Sequence, residues 1–321
     1  MRILITGGLG FVGGRLAVHL AQAGHRLVLG SRNAVDPPAW LSQAEVAKIE
    51  WEDTAALVRC CMGVDIVIQA AGMNAQDCAN DPVAALTFNG VATARLVAAA
   101  SRAGVQRIIY LSTAHVYARS LMGTITEDTC PRNLHPYATS HLAGEQAVLG
   151  ATQCGKMQGI VLRLSNAFGA PMNNNVNCWM LLVNDLCRQA LLTHKLILQS
   201  SGQQQRDFIP MTDVCRVVER FAVASGDDSP TGIFNIGAGE SQSVLSIAQT
   251  IQQRCFKVLG FEPELQRKKD VEEDFFMPFM YRTARLVGMG SPLDASNNIA
   301  EIDNLLRYCA RTFDQTRRYY S

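Results

Sequence analysis

The opening Thr6-Gly7-Gly8-Leu9-Gly10-Phe11-Val12-Gly13 leaves this chain little choice of fold. It follows Met1-Arg-Ile-Leu-Ile-Thr6, a short apolar, β-branched run of the kind that forms a buried strand. Val12, Leu16, Leu20 and Ala23 then recur at helical spacing, and Gly24 closes the segment. A Gly-x-x-Gly-x-x-Gly turn therefore sits between a strand and a helix. Gly7 permits the tight turn, Gly10 removes the Cβ that would hold a pyrophosphate off the backbone, and Gly13 lets the helix lie close to the sheet. Phosphates would meet free N–H groups at the positive end of a helix.

Strand and helix patterns alternate through the first half. Apolar runs at 26–30, 46–51, 65–71, 107–111 and 160–164 read as strands, and 54–61, 81–103 and 136–154 as helices. Asp81-Pro82 supplies a capping residue and an early proline for the second of these helices. Near-continuous apolar strands separated by helices predict an α/β fold, a Rossmann-type doubly wound parallel sheet. The second half is less regular. Helices are expected at 179–192, 212–225 and 243–259, short strands at 195–198 and 232–236, and 260–280 gives no clear element. The expected organisation is a dinucleotide-binding domain over 1–165, with returning segments at about 207–237, and a smaller α/β substrate-binding lobe over 166–321.

Composition narrows the function. A net charge of +1 over 321 residues makes no case for nucleic acid, which needs a basic patch. Arg267-Lys268-Lys269 is offset at once by Asp270, Glu272, Glu273 and Asp274, a mixed-charge loop. The chain enters its first strand directly and has no apolar run approaching a bilayer span, so a cytoplasmic protein without membrane contact is expected. The ten cysteines show no Cys-x-x-Cys pair, which points to reduced, structural thiols rather than a metal site.

The chemistry-bearing residues follow the 107–111 strand: Ser112-Thr113-Ala114-His115, then Tyr137 and His141 at the start of a helix. A tyrosine hydroxyl is a poor base at neutral pH unless positive charge lies nearby. A cation four residues on shares its helix face and can supply that charge.

With these motifs the chain resembles an extended short-chain dehydrogenase/reductase of the NAD-dependent nucleotide-sugar epimerase/dehydratase family. The resemblance runs through the glycine turn, Asp65-Ile-Val-Ile-Gln-Ala-Ala-Gly72, Phe88-Asn89, Ser112-Thr113, Tyr137 with His141 and Glu145, Leu162-Arg163-Leu164 with Asn166 to Gly169, Arg206-Asp-Phe-Ile209 and Phe234-Asn-Ile-Gly237. It implies hydride transfer at sugar carbon four, as epimerisation or 4-keto reduction, in a protein that pairs as a homodimer through the helices at 81–103 and 136–154. Thr113 would polarise the sugar oxygen and Tyr137 would be the general acid/base. Asn166 and Arg206 would bind the diphosphate of the nucleotide sugar, with Arg282 a candidate second phosphate ligand. Gly7, Gly10, Phe11, Val12 and Gly13 would line the cofactor pyrophosphate, with Ala71, Gly72, Asn89, Tyr137 and His141 beside the cofactor.

Three departures shape the expectation. The family's lysine four residues after the tyrosine is His141, which can donate to a ribose but carries charge only when protonated. Ala114 and His115 replace the Asp-Glu of 4,6-dehydratases, which argues against dehydration and leaves His115 as a proton carrier or a loop-bonding residue. Strand two ends in Gly30-Ser31-Arg32 without a carboxylate, which favours NADP over NAD. Two rival readings stay open: a catalytically impaired dinucleotide-binding sensor or scaffold, and a reductase of a non-nucleotide carbonyl. Phe275 to Phe279 reads as a satellite hydrophobic cluster or the border of a substrate pocket.

Overall fold

A computed structural model describes residues 1–224, 230–268, 278–290, 293–294 and 296–317, with side chains described as far as 313. Lys269 to Asp274 of the mixed-charge loop and Phe275 to Met277 of the aromatic stretch lie outside the described residues. The chain divides into two compact units. One comprises Met1–Ser120, Glu127–Leu164 and Cys215–Ile236, and the other Leu121–Thr126, Ser165–Val214 and Gly237–Ser321.

The first unit holds a seven-stranded sheet. Its strands are β1 (Arg2–Thr6), β2 (Arg26–Ser31), β3 (Glu45–Lys48), β4 (Ile66–Gln69), β5 (Arg107–Thr113), β6 (Gln158–Leu164) and β7 (Gly232–Ile236), in the order β7-β6-β5-β4-β1-β2-β3. Every pairing is parallel. All seven residues of β5 are buried, as expected for a strand covered on both faces. Leu4, Val28, Val67, Ile108 and Val161 pack with Leu96, Ala99, Ala100 and Val148 of the covering helices. The strand order reverses between β1 and β4, and such a reversal opens a crevice at the carboxyl ends of the strands.

Local chemistry explains where the elements depart from expectation. The strand expected to reach residue 71 stops at Gln69, because the amides of Ala70 and Ala71 turn to the Thr6 hydroxyl, at 3.2 and 3.3 Å. The third strand is Glu45–Lys48 rather than 46–51. The helix expected at 81–103 begins under the Asp81 cap, which accepts from the Ala84 amide at 2.9 Å, but widens into a π-helix over Leu86–Ala92. Its 21-residue run Pro82–Arg102 is, by length and composition alone, long and apolar enough to cross a bilayer, contrary to expectation. Half of it is buried, with Leu96, Ala99 and Ala100 in the sheet core.

In the second unit Gln205–Pro210 runs antiparallel to Ser241–Ser243 and parallel to Asn166–Phe168. Two further parallel pairs join Glu264–Arg267 to Lys195–Leu198 and Phe279–Tyr281 to Gly123–Ile125. Phe279 is buried in the last of these. Helices Leu182–Thr193, Val244–Leu259 and Ser296–Arg317 bring Leu186, Cys187, Ile247, Ile251, Ile302 and Leu305 into one core. The Ser296–Arg317 helix was not expected from sequence.

Candidate active site

The glycine turn is closed on itself. Gly7 holds a left-handed φ of 64°, and the Gly10 amide donates to its carbonyl at 2.9 Å. A Cβ on Gly13 would lie 2.2 Å from the Gly7 oxygen, so no other residue fits there without backbone movement. One on Gly7 would lie 3.0 Å from the Ala71 Cα, which sets the turn against the segment after β4. The Phe11–Gln22 helix starts from Gly10 with no side-chain cap and no acidic residue in its first turn. Its first amides therefore remain available to an anion. These features fit a dinucleotide pyrophosphate. At the end of β2 the Ser31 hydroxyl accepts from the Asn33 amide at 3.2 Å, and Arg32 is exposed.

Thr113, at the end of β5, and Tyr137, in the first turn of the Pro136–Gln153 helix, are hydrogen-bonded through their side chains. Pro136 fixes the helix start and His135 caps it by accepting from the Tyr137 amide, at 3.2 Å. Burial pushes the Tyr137 phenol above its usual pKa, and the Thr113 hydrogen bond only partly offsets this. His141 lies one turn on, its ring edge-to-face with Tyr137 at 4.6 Å between centroids. Its Nδ1 is 2.9 Å from the Tyr110 hydroxyl. Burial lowers the His141 pKa to about 4, so the imidazole is uncharged at neutral pH. The positive charge of a lysine at this position has no counterpart in the histidine.

Gly72 and Asn89 border the same helix. A Cβ on Gly72 would come 3.5 Å from Asn89 Oδ1 and 3.9 Å from His141 Nε2. Asn89, in the π-helical turn, accepts from the Met73 amide at 2.8 Å and donates to the Ser140 hydroxyl at 3.0 Å. It ties the loop after β4 to the tyrosine helix, which makes it a positioning residue. His115 is exposed on the short turn after β5, and its backbone amide, rather than its ring, reaches Thr113 Oγ1 at 3.1 Å.

Beneath these groups lies a buried ion pair. Arg163 of β6 grips Glu145 of the Pro136–Gln153 helix through Nε at 2.9 Å and Nη2 at 2.5 Å, and Ser112 donates to the same carboxylate at 2.5 Å. The guanidinium also covers the Tyr117 ring, 4.7 Å from its centroid. Helix, β5 and β6 are thereby locked at the level of Thr113.

In the second unit Asn166 and Arg206 lie on adjacent strands, with Asn166 in register with Phe208. The Asn166 amide donates to the Asp207 carbonyl at 2.8 Å, and Arg206 Nη2 lies 3.3 Å from Gln204 Oε1. The Asp207 carboxylate is fully buried and accepts from the Ser165 hydroxyl and the amides of Ala238 and Gly239. Burial raises its pKa to about 6 despite these bonds. Arg282 is exposed beside the Phe279–Tyr281 strand.

Sequence reasoning overlooked Asp207, Tyr110, Thr93, Gln69 and Thr6. The signal was present for three of them: Thr6, Gln69 and Tyr110 stand in largely apolar, buried strands, and such groups must find hydrogen-bond partners.

Residues 3–237 match the family described as NAD dependent epimerase/dehydratase, and the chain belongs to that family of enzymes. The dTDP-6-deoxy-L-talose 4-dehydrogenase (NAD(P)(+)) of Kitasatospora kifunensis is 30% identical over 264 residues, covering 78% of each chain. Among solved structures, the UDP-glucose 4-epimerase of Thermotoga maritima, with UDP-glucose, matches 97% of this chain and 99% of its own at a TM-score of 0.80 and 20% identity. The UDP-glucuronic acid 4-epimerase of Bacillus cereus, with UDP-glucuronic acid and NAD, matches 98% and 100% at 0.78 and 21%. At these identities the two structures share the fold.

Proposed function

We propose that the protein transfers hydride at carbon four of a nucleotide-activated sugar, acting as a 4-keto reductase. The observation that carries this reading is the Thr113–Tyr137–His141 cluster, in which a half-buried phenol stands beside a buried hydroxyl and a buried, uncharged imidazole. The first unit would bind the dinucleotide and the second the sugar nucleotide. When bound, the coenzyme supplies hydride exchange at its nicotinamide ring.

Burial keeps the Tyr137 phenol protonated at neutral pH, so it is set to donate a proton to a sugar keto oxygen. Oxidation would have to begin from the phenolate, which the uncharged His141 does nothing to populate, whereas reduction begins from the phenol, and the phenolate it leaves regains a proton from solvent after each turnover. Thr113 would hold the same oxygen through its hydroxyl. Arg206 would meet the diphosphate, for which a forked guanidinium is well shaped, beside Asn166. The Kitasatospora relative, a 4-dehydrogenase by name, supports carbon four. His115, exposed on the turn after β5, could exchange protons with solvent as a proton carrier.

Serine and arginine at the end of β2 favour a coenzyme 2′-phosphate, and hence NADPH, over the NAD of the Bacillus cereus complex. Competition between the two reduced coenzymes, with Arg32→Ala as control, tests that preference. Exposed Val83, Leu86 and Val91 on the Pro82–Arg102 run support pairing of two copies through this helix. Sedimentation as a monomer overturns it.

The decisive experiment is coenzyme oxidation with a panel of 4-keto sugar nucleotides. Tyr137→Phe is expected to lose roughly 100-fold or more in turnover, and undiminished turnover overturns the assignment. The uncharged His141 also favours a second reading, a dinucleotide binder without turnover. His141→Lys separates the two, because a gain in rate marks an enzyme and silence in both proteins marks a binder.

A further inference from the structure

Pro136 leaves the tyrosine helix with no amide at its first position, so the Tyr137 N–H is the first backbone donor that the helix presents. It is met by a ring nitrogen. His135 Nδ1 lies 3.2 Å from that amide. An amide can only donate, so Nδ1 is a bare lone pair and the single ring proton is on Nε2. The backbone of His135 is tied down as well. Its carbonyl accepts from the Thr139 amide at 3.0 Å, and its amide donates to Asn133 Oδ1 at 3.0 Å. The other end of that side chain reaches the turn after β5, where Asn133 Nδ2 donates to the His115 carbonyl at 2.7 Å. The Asn133 and Arg132 amides donate to the carbonyls of Val116 and Tyr117, at 3.3 and 3.0 Å. The His115 amide in turn donates to Thr113 Oγ1 at 3.1 Å. One strap, 132–135, therefore joins the turn beside Thr113 to the first turn of the helix that carries Tyr137.

Serine, threonine, asparagine and aspartate, the usual caps, keep an acceptor oxygen across the neutral range, and an imidazole does not. A proton on Nδ1 would point one donor at another across 3.2 Å. It would also set a cation at the positive end of a helix. The charged ring has to leave the cap, and the Tyr137 amide loses its acceptor.

We propose that His135 is a positioning residue for Tyr137, whose cap is made only by the uncharged ring, so that acid releases the first turn of the helix and with it the phenol. The effect on rate rests on the role given to Tyr137 above; the cap does not. The other titratable or charged groups here are His115 and Tyr117 on the turn, Arg132 on the strap, Tyr137 and His141 on the first two turns of the helix, and Asp77 and Cys78 on the Ala75–Asn80 helix packed beside it. Burial lowers His141 to about 4 and raises Cys78 and both phenols. His115 is the other imidazole and is exposed, so each measurement is repeated in His115→Gln.

The test is hydrogen exchange at the Tyr137 amide, read by NMR on the full chain without coenzyme at about pH 7.5 and about pH 5.5, which span the ordinary titration of an imidazole. Corrected for the intrinsic pH dependence of exchange, wild-type protection is expected to fall roughly fivefold in acid, the worth of one cap. His135→Asn should keep its protection at both pH values, His135→Ala should lack it at both, and His115→Gln should follow wild type. In turnover of NADPH with a 4-keto sugar nucleotide, kcat should fall more steeply toward acid in wild type than in His135→Asn, with KM for the coenzyme alike in the two. Wild-type protection that does not change with pH, an equal fall in His135→Asn, or a fall abolished by His115→Gln overturns the cap. An acid limb of kcat as steep in His135→Asn as in wild type overturns the positioning role. Wild type without turnover at any pH removes the enzyme reading, while the cap stands or falls on the amide alone.

Discussion

His141 and Asp207 are buried titratable groups whose pKa values move in opposite senses for stability. The imidazole falls from 6.5 to about 4, so the unfolded chain takes up a proton that the fold refuses. Stability contributed by the neutral ring is present above pH 6.5 and lost as pH falls toward 4, by about 3 kcal/mol in all. The carboxyl rises from 3.8 to about 6, so the fold holds a proton that the unfolded chain releases. Its contribution is present below pH 4 and lost as pH climbs through 6, again by about 3 kcal/mol. Wild type should therefore show a flattened stability profile between pH 4 and 6.5. Urea unfolding should reveal each slope alone, rising with pH in Asp207→Asn and falling with pH in His141→Gln. Parallel profiles in the two variants would refute both assignments.

At the scale of elements, the Glu145–Arg163 pair is the clamp that sets the tyrosine helix on β5 and β6. Glu145→Gln leaves a guanidinium that is 2% exposed without its counter-charge, and breaking a buried pair in this way costs about 3 to 5 kcal/mol. The check is a drop of that size in urea unfolding, and a near-neutral change would show the clamp to be slack. The alternation of strands and helices was legible because apolar runs and capping residues such as Asp81 are local signals. The glycine turn was legible for the same reason, whereas the roles expected of Thr113 and Tyr137 came from the resemblance to a known family. Other features were not. The π-helical turn at Leu86–Ala92 forms where Asn89 reaches the Met73 amide and Ser140, partners 16 and 51 residues away. Three-residue strands such as Asn166–Phe168 are too short for periodicity to register. His141 was visible as a departure, but its lack of charge depends on burial that no local pattern encodes.

Across the whole molecule, the proposed coenzyme and sugar-nucleotide residues fall in different units, Gly7 to Gly13 with Tyr137 in one and Asn166 with Arg206 in the other. Hydrogen exchange should separate them. NADPH is expected to slow exchange at 7–14 and 70–73, and uridine diphosphate alone at 165–168 and 205–209; identical footprints for the two ligands would contradict the division. The cradle itself bears on a quite different property. On the proposed reading an uncharged imidazole would hold the coenzyme by a directed bond, which mobile ions shield little, whereas a lysine would hold it by a field that they do shield. Brackish buffer should therefore loosen coenzyme more in His141→Lys than in the natural protein, and titrations across a range of ionic strengths would expose that difference in slope.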